Sequence, residues 1–338
     1  MRAMVIEGSF GLDNLRLTER EAPEPGPGQV RLRMRAASLN YRDLLMVRGH
    51  YDPRQPLPLV PGSDGVGIVE AVGEGVNRAG VGDRVCPIFC QDWHDGAPER
   101  DKLRSTLGGP LDGTLREVMV IDEGGLVHPP GHLSDAECAA LPCAAVTAWT
   151  ALFTEGDLAA GQTVLVQGTG GVSTFALQLA HAAGASVIVT SSSDQKLERA
   201  RALGAAETIN YRETPDWGGA VRRLTDGRGV DHVVEVGGAG TLEQSIRATA
   251  IGGRIAVIGV LSGIKSNLVV TPILMGYLRL QGILVGHRAS FEALNSFVAE
   301  RELRPEVSEI YPMDQARAGF ELMARGGHHG KICLTIGD

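Results

Sequence analysis

The sequence predicts an α/β protein with a doubly wound parallel sheet and a second domain of short, strongly curved strands. A β-α-β pattern with a glycine-rich turn spans residues 162–203. Two near-continuous apolar runs, at 231–238 and 252–260, have the composition of buried parallel strands. Between residues 64 and 87, closely spaced glycine turns separate short β-rich runs, which is typical of a small barrel.

Length and composition limit the classes of protein that this chain can be. Its 338 residues suggest two domains, and an apolar fraction of 43% is enough for a sizeable core. A net charge of −8 argues against a nucleic-acid partner and against an anionic membrane surface. We find no run of about 18 apolar residues and no signal peptide, so we expect no membrane span and a cytoplasmic location. Five cysteines in a chain of this length do not form a disulfide framework.

The first part of the chain is predicted to be β structure. Residues 1–8 and 29–36 alternate in side-chain character, and the proline-rich segment between them is a surface loop. A run at 66–72 and a short strand at 84–87 follow. Residues 132–152 then have helical spacing and lead into the second domain.

The β-α-β pattern has the arrangement of a dinucleotide-binding unit. Strand 163–167 leads into the turn Gly168-Thr169-Gly170-Gly171, and a helix with apolar residues at three-and-four spacing follows from Val172. Gly168 permits the tight turn, Gly170 lets the backbone approach a pyrophosphate, and the helix N-terminus offers N–H groups to that anion. The third fingerprint position is Ser173 instead of glycine, so we expect slightly looser packing of helix on strand. The alternative is an ordinary β-α turn with no ligand.

The end of the second strand in this unit bears on the choice of cofactor. NAD sites place an Asp or Glu there, whereas this chain has Ser191, Ser192 and Ser193, followed by Lys196. Hydroxyls and an ammonium would bind a 2′-phosphate that a carboxylate would repel, so the sequence favours NADPH. The serines could instead cap the helix that begins near Asp194, although Asp194 itself is the better candidate for that cap.

The remaining chain continues the alternation of strands and helices. Residues 207–212 are predicted as the third strand and residues 278–286 as a final edge strand. An exposed edge must be covered, which favours a homodimer. The tail is predicted to hold an amphipathic helix, a second helix near 313–324 and a closing strand at 331–336, with Lys331 at the surface.

Three segments, together with the dinucleotide unit, resemble one known family. LNYRDLL at 39–45, PGSDGVG at 61–67 and INYR at 209–212 look like the medium-chain dehydrogenase/reductase superfamily, most of all its zinc-free, quinone oxidoreductase-like branch. The resemblance covers nearly the whole chain. It implies a GroES-like β-barrel catalytic domain at 1–143 and 286–338, a Rossmann domain at 144–285, an active site between them, and a dimer formed by edge strands.

The resemblance also allows the ligands of the family's two zinc ions to be checked residue by residue in this chain. Zinc-dependent members place a Cys where this chain has Asn40 and a His-Glu pair where it has Ser63-Asp64; their third ligand is often a Cys at the position of Cys143. The structural zinc of the family needs four clustered cysteines, and only Cys86 and Cys90 lie in that region. We therefore predict that neither metal is bound, and that Cys143 is a small buried apolar residue.

The same resemblance assigns roles to further residues. It places Asn40 and Tyr41 in the substrate pocket, where both offer hydrogen-bond donors, with Arg42 or Asp43 orienting them. It implies that Lys196 and Tyr211 hold the NADPH 2′-phosphate. Thr147 would lie under the nicotinamide ring, although a helix-interior threonine bonded to its own backbone is an equal alternative. The alternative for Tyr41 is a barrel aromatic with its hydroxyl in water. Two further cofactor-binding candidates are Val260 and Val285.

These observations predict an NADPH-dependent oxidoreductase that transfers a hydride to a quinone or an α,β-unsaturated carbonyl without catalytic zinc. A second hypothesis is an alcohol dehydrogenase of the same superfamily. A third is a non-catalytic NADPH-binding sensor or structural protein.

Overall fold

The computed structural model describes residues 1–337 and divides them into two compact units. The first unit comprises Met1–Val146 and the segment from Gly286 onward, and the second comprises Thr147–Val285. The α/β fold class predicted from the sequence is confirmed, because the second unit is built on a parallel sheet and the first on short, largely antiparallel strands.

In chain order, the strands are β1 Arg2–Ile6, β2 Leu15–Glu19, β3 Gln29–Leu39, β4 Asp64–Val72, β5 Arg84–Pro87, β6 Val118–Asp122, β7 Leu126–Val127, β8 Thr163–Gln167, β9 Ser186–Ser191, β10 Glu207–Asn210, β11 Val230–Glu235, β12 Thr249–Val257, β13 Arg279–Gly282, β14 Val307–Pro312 and β15 Lys331–Thr335.

The α-helices are α1 Tyr41–Val47, α2 Arg100–Leu103, α3 Asp135–Ala139, α4 Val146–Trp149, α5 Gly171–Ala182, α6 Asp194–Ala202, α7 Trp217–Leu224, α8 Leu242–Ala248, α9 Thr271–Met275, α10 Arg288–Glu300 and α11 Ala316–Ala324. Within residues 1–337, no helix has both the length and the apolar composition needed to cross a bilayer.

The second unit holds a six-stranded sheet in the order β10-β9-β8-β11-β12-β13, and every neighbouring pair is parallel. Counted within the unit, this is the order 3-2-1-4-5-6 of a doubly wound dinucleotide fold. The apolar runs seen in the sequence supply its core, where Leu165, Ile188, Val233 and Ile255 are at most 2% exposed. The strand order reverses between β8 and β11, so the carboxyl ends of these two strands are the expected ligand site.

The first unit holds a seven-stranded sheet along the path β14-β15-β3-β4-β5-β7, with β6 paired to β3. The long strand β3 pairs with β4, and this pairing is interrupted by register shifts near Leu32 and Met34. Such irregularities bend and twist a strand pair, which suits a small curved sheet. Strand β15 lies between β14 and β3, so the C-terminal segment is an internal strand of a sheet begun near the N-terminus.

The helix predicted at 132–152 is not regular. After α3, residues Leu141–Ala145 and Thr150–Thr154 are π-helical, and the four-residue α4 lies between them. Pro142 lies inside this stretch and has no N–H to donate, which is one reason that regular α-helical bonding fails there. π-helical turns occur often at functional sites, and the chain passes from the first unit to the second within this segment.

Candidate active site and nucleotide site

The candidate catalytic residues lie where β3 ends and α1 begins. Asn40 is the N-cap of α1, and its backbone N–H donates to Asp43 Oδ2 at 2.9 Å. This cap places the Asn40 side chain at the N-terminus of α1, where the residue is only 9% exposed. Tyr41, the first residue of α1, is 41% exposed, so the two predicted catalytic residues differ sharply in burial.

Pairing of β3 with β4 brings Ser63 and Asp64 to this point, because Ser38 and Asp64 are register partners. Ser63 Oγ accepts a hydrogen bond from Asn40 Nδ2 at 3.2 Å and donates to Asp43 Oδ1 at 2.9 Å. Both Ser63 and Asp43 are fully buried. The serine hydroxyl is therefore a relay that joins the asparagine amide to the carboxylate of Asp43.

Lys331 completes the cluster, although the sequence predicted it at the surface. This prediction is wrong, because the side chain is 2% exposed and its ammonium donates to Asn40 Oδ1, to Leu39 O at 2.9 Å and to Asp64 Oδ2 at 3.3 Å. As the first residue of β15, Lys331 is brought to Asn40 by the antiparallel pairing of Ile332 with Leu39. The one local signal was a lysine at the very start of an apolar strand. We call Asn40, Asp43, Ser63, Asp64 and Lys331 the amide cluster.

Asp64 is the most strongly perturbed carboxylate of the amide cluster. Its burial raises its pKa to about 6, and the nearby ammonium of Lys331 opposes that shift. Asp64 Oδ2 interacts with Lys331, whereas the buried Oδ1 has no hydrogen-bond partner within residues 1–337. The carboxylate is ionised at neutral pH, but it sits in an environment that favours its neutral form.

Arg42 lies beside the amide cluster and contacts it through Asp43. Its guanidinium donates to Leu107 O at 2.7 Å and to Gly109 O at 3.1 Å, and it lies 3.3 Å from Asp43 Oδ1. It also packs 4.8 Å from the ring centroid of Tyr51. Arg42 and Asp43 were both predicted as orienting residues; in the structure Asp43 contacts the backbone of Asn40, and Arg42 contacts Asp43.

The glycine turn of the second unit has open space where a ligand would lie. Gly168 has a φ of 72°, a conformation that suits glycine, and Gly170 is the N-cap of α5 with no side-chain cap. A Cβ added at Gly170 would meet no heavy atom of residues 1–337 within 4 Å. The N-terminus of α5 thus presents N–H groups next to an empty cradle, together with Thr169, Gly171 and Val172 of the predicted set.

Ser173, at the third fingerprint position, links the helix to the preceding strand through its side chain. Its hydroxyl donates to Gln167 O at 2.6 Å, and the residue is 3% exposed.

A further buried carboxylate, Glu235, was not predicted from the sequence. Glu235, at the carboxyl end of β11, is fully buried and accepts from Gln167 Nε2 at 2.7 Å. It also accepts from the N–H groups of Gly237 and Gly238 at 2.8 and 2.9 Å, so it joins the ends of β8 and β11 at the point where the strand order reverses.

The structure brings several of the predicted 2′-phosphate residues together. The N–H of Tyr211, just after β10, donates to Ser191 O at 3.0 Å at the end of β9. Ser193 is the N-cap of α6, and its hydroxyl accepts from the N–H of Lys196, which corrects the expectation that Asp194 would be the cap. Partial burial of Lys196 lowers its pKa from the ordinary value. Ser192 lies between Ser191, the last residue of β9, and Ser193, the N-cap of α6.

The other cofactor candidates lie at separate points of the second unit. Thr147 is 3% exposed in α4, between the two π-helical segments. Val260 follows β12 and is 48% exposed; its Cα lies close to Gly238, where an added Cβ would come within 2.9 Å. Val285 is buried with a φ of 51°, which is unusual for a β-branched residue and marks local strain.

Comparison with known proteins decides the family. Residues 26–131 match the family described as alcohol dehydrogenase GroES-like domain, and residues 171–300 match the one described as zinc-binding dehydrogenase. A zinc-type alcohol dehydrogenase-like protein of Schizosaccharomyces pombe is 44% identical over 343 residues, covering 99% of both chains. The chain belongs to the medium-chain dehydrogenase/reductase superfamily. It is an oxidoreductase.

Other members of the superfamily have names that describe different activities. An acryloyl-coenzyme A reductase of Metallosphaera sedula is 30% identical over 99% of this chain and 100% of its own. A crystal structure of a candidate alcohol dehydrogenase from Sinorhizobium meliloti 1021 superposes with a TM-score of 0.93 at 44% identity, covering 99% and 98% of the chains. Two further structures cover all of this chain: an NAD-dependent alcohol dehydrogenase (TM-score 0.92, 38% identity, all of its chain) and the quinone oxidoreductase of Coxiella burnetii (TM-score 0.82, 27% identity, 99% of its chain).

The donor set of this chain does not fit the catalytic zinc that one family description implies. At the ligand positions given by the resemblance stand the neutral amide of Asn40, the hydroxyl of Ser63 and the carboxylate of Asp64, which already faces the Lys331 ammonium. Cys143 is partly exposed, not buried as expected, and desolvation raises its pKa, so its thiol is not a ready thiolate. No group of three His, Cys, Asp or Glu residues within 1–337 is placed to hold a metal ion.

Proposed function

We propose that this oxidoreductase transfers a hydride from NADPH to a quinone or an α,β-unsaturated carbonyl, and that it does so without a catalytic zinc. The observation that carries the proposal is the amide cluster. A buried ammonium, Lys331, binds the carbonyl oxygen of Asn40, and the neighbouring groups are bonded to one another instead of converging on an open metal position.

The second unit fits a dinucleotide. The open cradle at Gly170 and the uncapped N-terminus of α5 suit a pyrophosphate. The hydroxyls of Ser191 to Ser193, with Lys196 and Tyr211, form a polar set at the end of β9 that suits a 2′-phosphate. In this proposal Thr147, Val260 and Val285 contact the nicotinamide half. The bound nicotinamide supplies the hydride.

The residues of the first unit would then stabilise the charge that develops on the acceptor. When a hydride adds to the β-carbon of an enone, the electron pair of the double bond moves to the carbonyl oxygen, and solvent protonates the resulting enolate. A quinone is reduced to its quinol by the same hydride and a proton. The Asn40 amide and the Tyr41 hydroxyl are our candidate donors to that oxygen, a role in which one preorganised donor is worth about 10²–10³-fold in kcat.

A zinc-dependent alcohol dehydrogenase is the second candidate, and the names of several relatives favour it. Metal analysis of the purified protein discriminates the two. About one tightly held zinc per chain, lost together with activity on chelation, would refute our proposal. Zinc far below one per chain, with activity unaffected by chelator, supports it.

A homodimer through the edge of the parallel sheet is part of the proposal. Among the strands of residues 1–337, β13 pairs with β12 alone. Around it the chain exposes large apolar side chains, including Ile251, Leu274, Met275 and Tyr277, each at least 74% exposed. Apolar exposure on this scale beside an open strand edge suits a second copy of the same surface.

The deciding experiment is steady-state oxidation of NADPH and NADH with a panel of quinones, enals, enones and simple ketones. We expect turnover with quinones or enones, little with saturated ketones, and preference for NADPH. Turnover confined to alcohols or saturated ketones would overturn the substrate assignment. Tight NADPH binding with no turnover on any acceptor would favour a non-catalytic sensor.

A further inference from the structure

We infer that Lys331 is a positioning residue that fixes and polarises the Asn40 carboxamide, so that Asn40 presents its second N–H, the one not donated to Ser63, to the acceptor oxygen. This inference rests on the proposed function, since it assigns how the amide cluster would act in that reaction. Lys331 is not among the residues that the sequence identified as functional, and it lies 291 residues from Asn40 along the chain.

The bonding pattern determines the orientation of the amide. An ammonium can only donate, so the side-chain atom of Asn40 that faces Lys331 Nζ must be the carbonyl oxygen. The amide nitrogen is then turned toward Ser63, whose Oγ accepts from it at 3.2 Å. Ser63 can accept because its own proton is donated to Asp43 Oδ1 at 2.9 Å. The chain of bonds therefore runs in one direction, from Lys331 through Asn40 and Ser63 to Asp43.

The ammonium has no spare donor for another role. Its three protons meet three acceptors, namely Leu39 O, Asn40 Oδ1 and Asp64 Oδ2. The side chain is 2% exposed and Asp64 is fully buried, so the ammonium is held inside the unit and away from water. Its geometry suits a fixed support for the amide better than a proton donor to substrate.

The charge of Lys331 also strengthens the amide as a donor. A cation bonded to the carbonyl oxygen draws electron density from the nitrogen, and hydrogen bonds in a chain polarise one another, more so where the dielectric is low. A negative charge that develops on a substrate oxygen beside Asn40 Nδ2 would thus be stabilised by the ammonium through the amide. In this cluster a lysine supplies, indirectly, electrostatic stabilisation of the kind that a Lewis-acid metal supplies elsewhere.

The test is a double-mutant cycle on kcat with NADPH and the best quinone or enone acceptor. We expect Lys331→Met, which keeps the length of the side chain but removes the charge, to lower kcat about 30- to 100-fold with KM changed less than about threefold. In an Asn40→Ala background the same change should lower kcat less than about twofold, because Lys331 acts through Asn40. An equal loss in both backgrounds would overturn the inference.

A matched control separates this effect from a general disturbance of β15. Cys333 is fully buried on the same strand, and its thiol contacts Ala136 O and Ser38, neither of which belongs to the amide cluster. Cys333→Ala should lower the melting temperature with little change in kcat. If it lowers kcat as much as Lys331→Met does, the role of Lys331 is structural and the inference fails.

A second readout needs no turnover. The chain has six asparagines, so selective ¹⁵N-asparagine labelling gives few side-chain amide signals, and the Asn40→Asp variant assigns that of Asn40. Lys331→Met should move the Asn40 amide nitrogen signal while those of the other asparagines stay in place. An unmoved Asn40 signal would overturn the inference. If the wild type reduces no quinone or enone, the proposed function fails, and the amide signal alone decides whether Lys331 orients Asn40.

Discussion

Replacing Asp64 with asparagine is predicted to stabilise the protein at neutral pH, although it removes the carboxylate partner of a buried lysine. Burial raises the pKa of Asp64 from 3.8 to about 6, and this net value already includes the opposing attraction of Lys331. The folded protein therefore holds a proton on Asp64 in the range between about pH 4 and pH 6, where the unfolded chain has lost it.

The sign and size of the effect follow from this difference. The contribution of Asp64 to stability is fully present below pH 4 and is lost as the pH rises through about 6, so the free energy of unfolding falls by about 3 kcal/mol across this window. Asparagine does not titrate. The Asp64→Asn variant should thus match the wild type near pH 4 and exceed it by about 3 kcal/mol at pH 7.

Urea unfolding, followed by tryptophan fluorescence and far-UV circular dichroism at intervals from pH 4 to 7.5, measures this difference directly. Other carboxylates titrate in both proteins, so their contributions cancel. Glu309→Gln, which removes an exposed carboxylate from β14, serves as the control for the loss of one negative charge. A stability difference that stays flat, or that favours the wild type more as the pH rises, would refute the account of Asp64.

Three further predictions concern the second unit. Gly170→Val places a side chain in open space at the N-terminus of α5 and should weaken NADPH binding at least about tenfold in a calorimetric titration. Its melting temperature should stay within about 2 °C of the wild type. The control Gly131→Val, also at an open position, should leave NADPH binding unchanged. Lys196→Ala should raise the Kd for NADPH about tenfold and that for NADH less than twofold, and equal losses would remove the 2′-phosphate assignment. Leu274→Asp should convert the proposed dimer to a monomer in light scattering, and a dimer that survives this change would refute the assignment of its interface.

The sequence predicted the second unit well because its signals are local. A strand, a glycine turn and a helix at Thr163–Ala182 follow one another along the chain, and each has its own periodicity. The order of the strands then follows from general rules for parallel sheets. The link between Gln167 and Glu235 was not predictable in the same way, because it joins the ends of strands that are 68 residues apart.

The amide cluster was only half visible in the sequence. Asn40 and the pair Ser63-Asp64 were singled out by resemblance, but Lys331, which contacts Asn40 and Asp64, was predicted to lie at the surface. Lys331 begins an apolar strand, and nothing local shows whether a lysine at such a position points outward or reaches a buried carboxylate. The answer depends on β15 pairing with β3 across almost the whole chain, and such long-range register is not encoded in any window of the sequence.

The charges in and beside the amide cluster lead to a last prediction, which concerns the substitutions that would allow this site to bind zinc. Arg42 and Lys331 carry two positive charges beside the negative charges of Asp43 and Asp64, and all four side chains are at least nine-tenths buried. A zinc ion would add two positive charges to this balanced set. Such a charge is costly in a buried site unless ligands neutralise it.

Cys143 cannot supply that compensation unaided. The charges of Asp64 and Lys331 both act on its thiol, yet desolvation dominates and raises its pKa. We therefore predict that restoring two ligand types, by Asn40→Cys and Ser63→His together, gives little zinc binding while Lys331 is present. Adding Lys331→Met removes one buried cation and should raise the zinc content toward one per chain, measured by atomic emission after dialysis. Stoichiometric zinc in the protein that retains Lys331 would show that the ammonium does not oppose the metal.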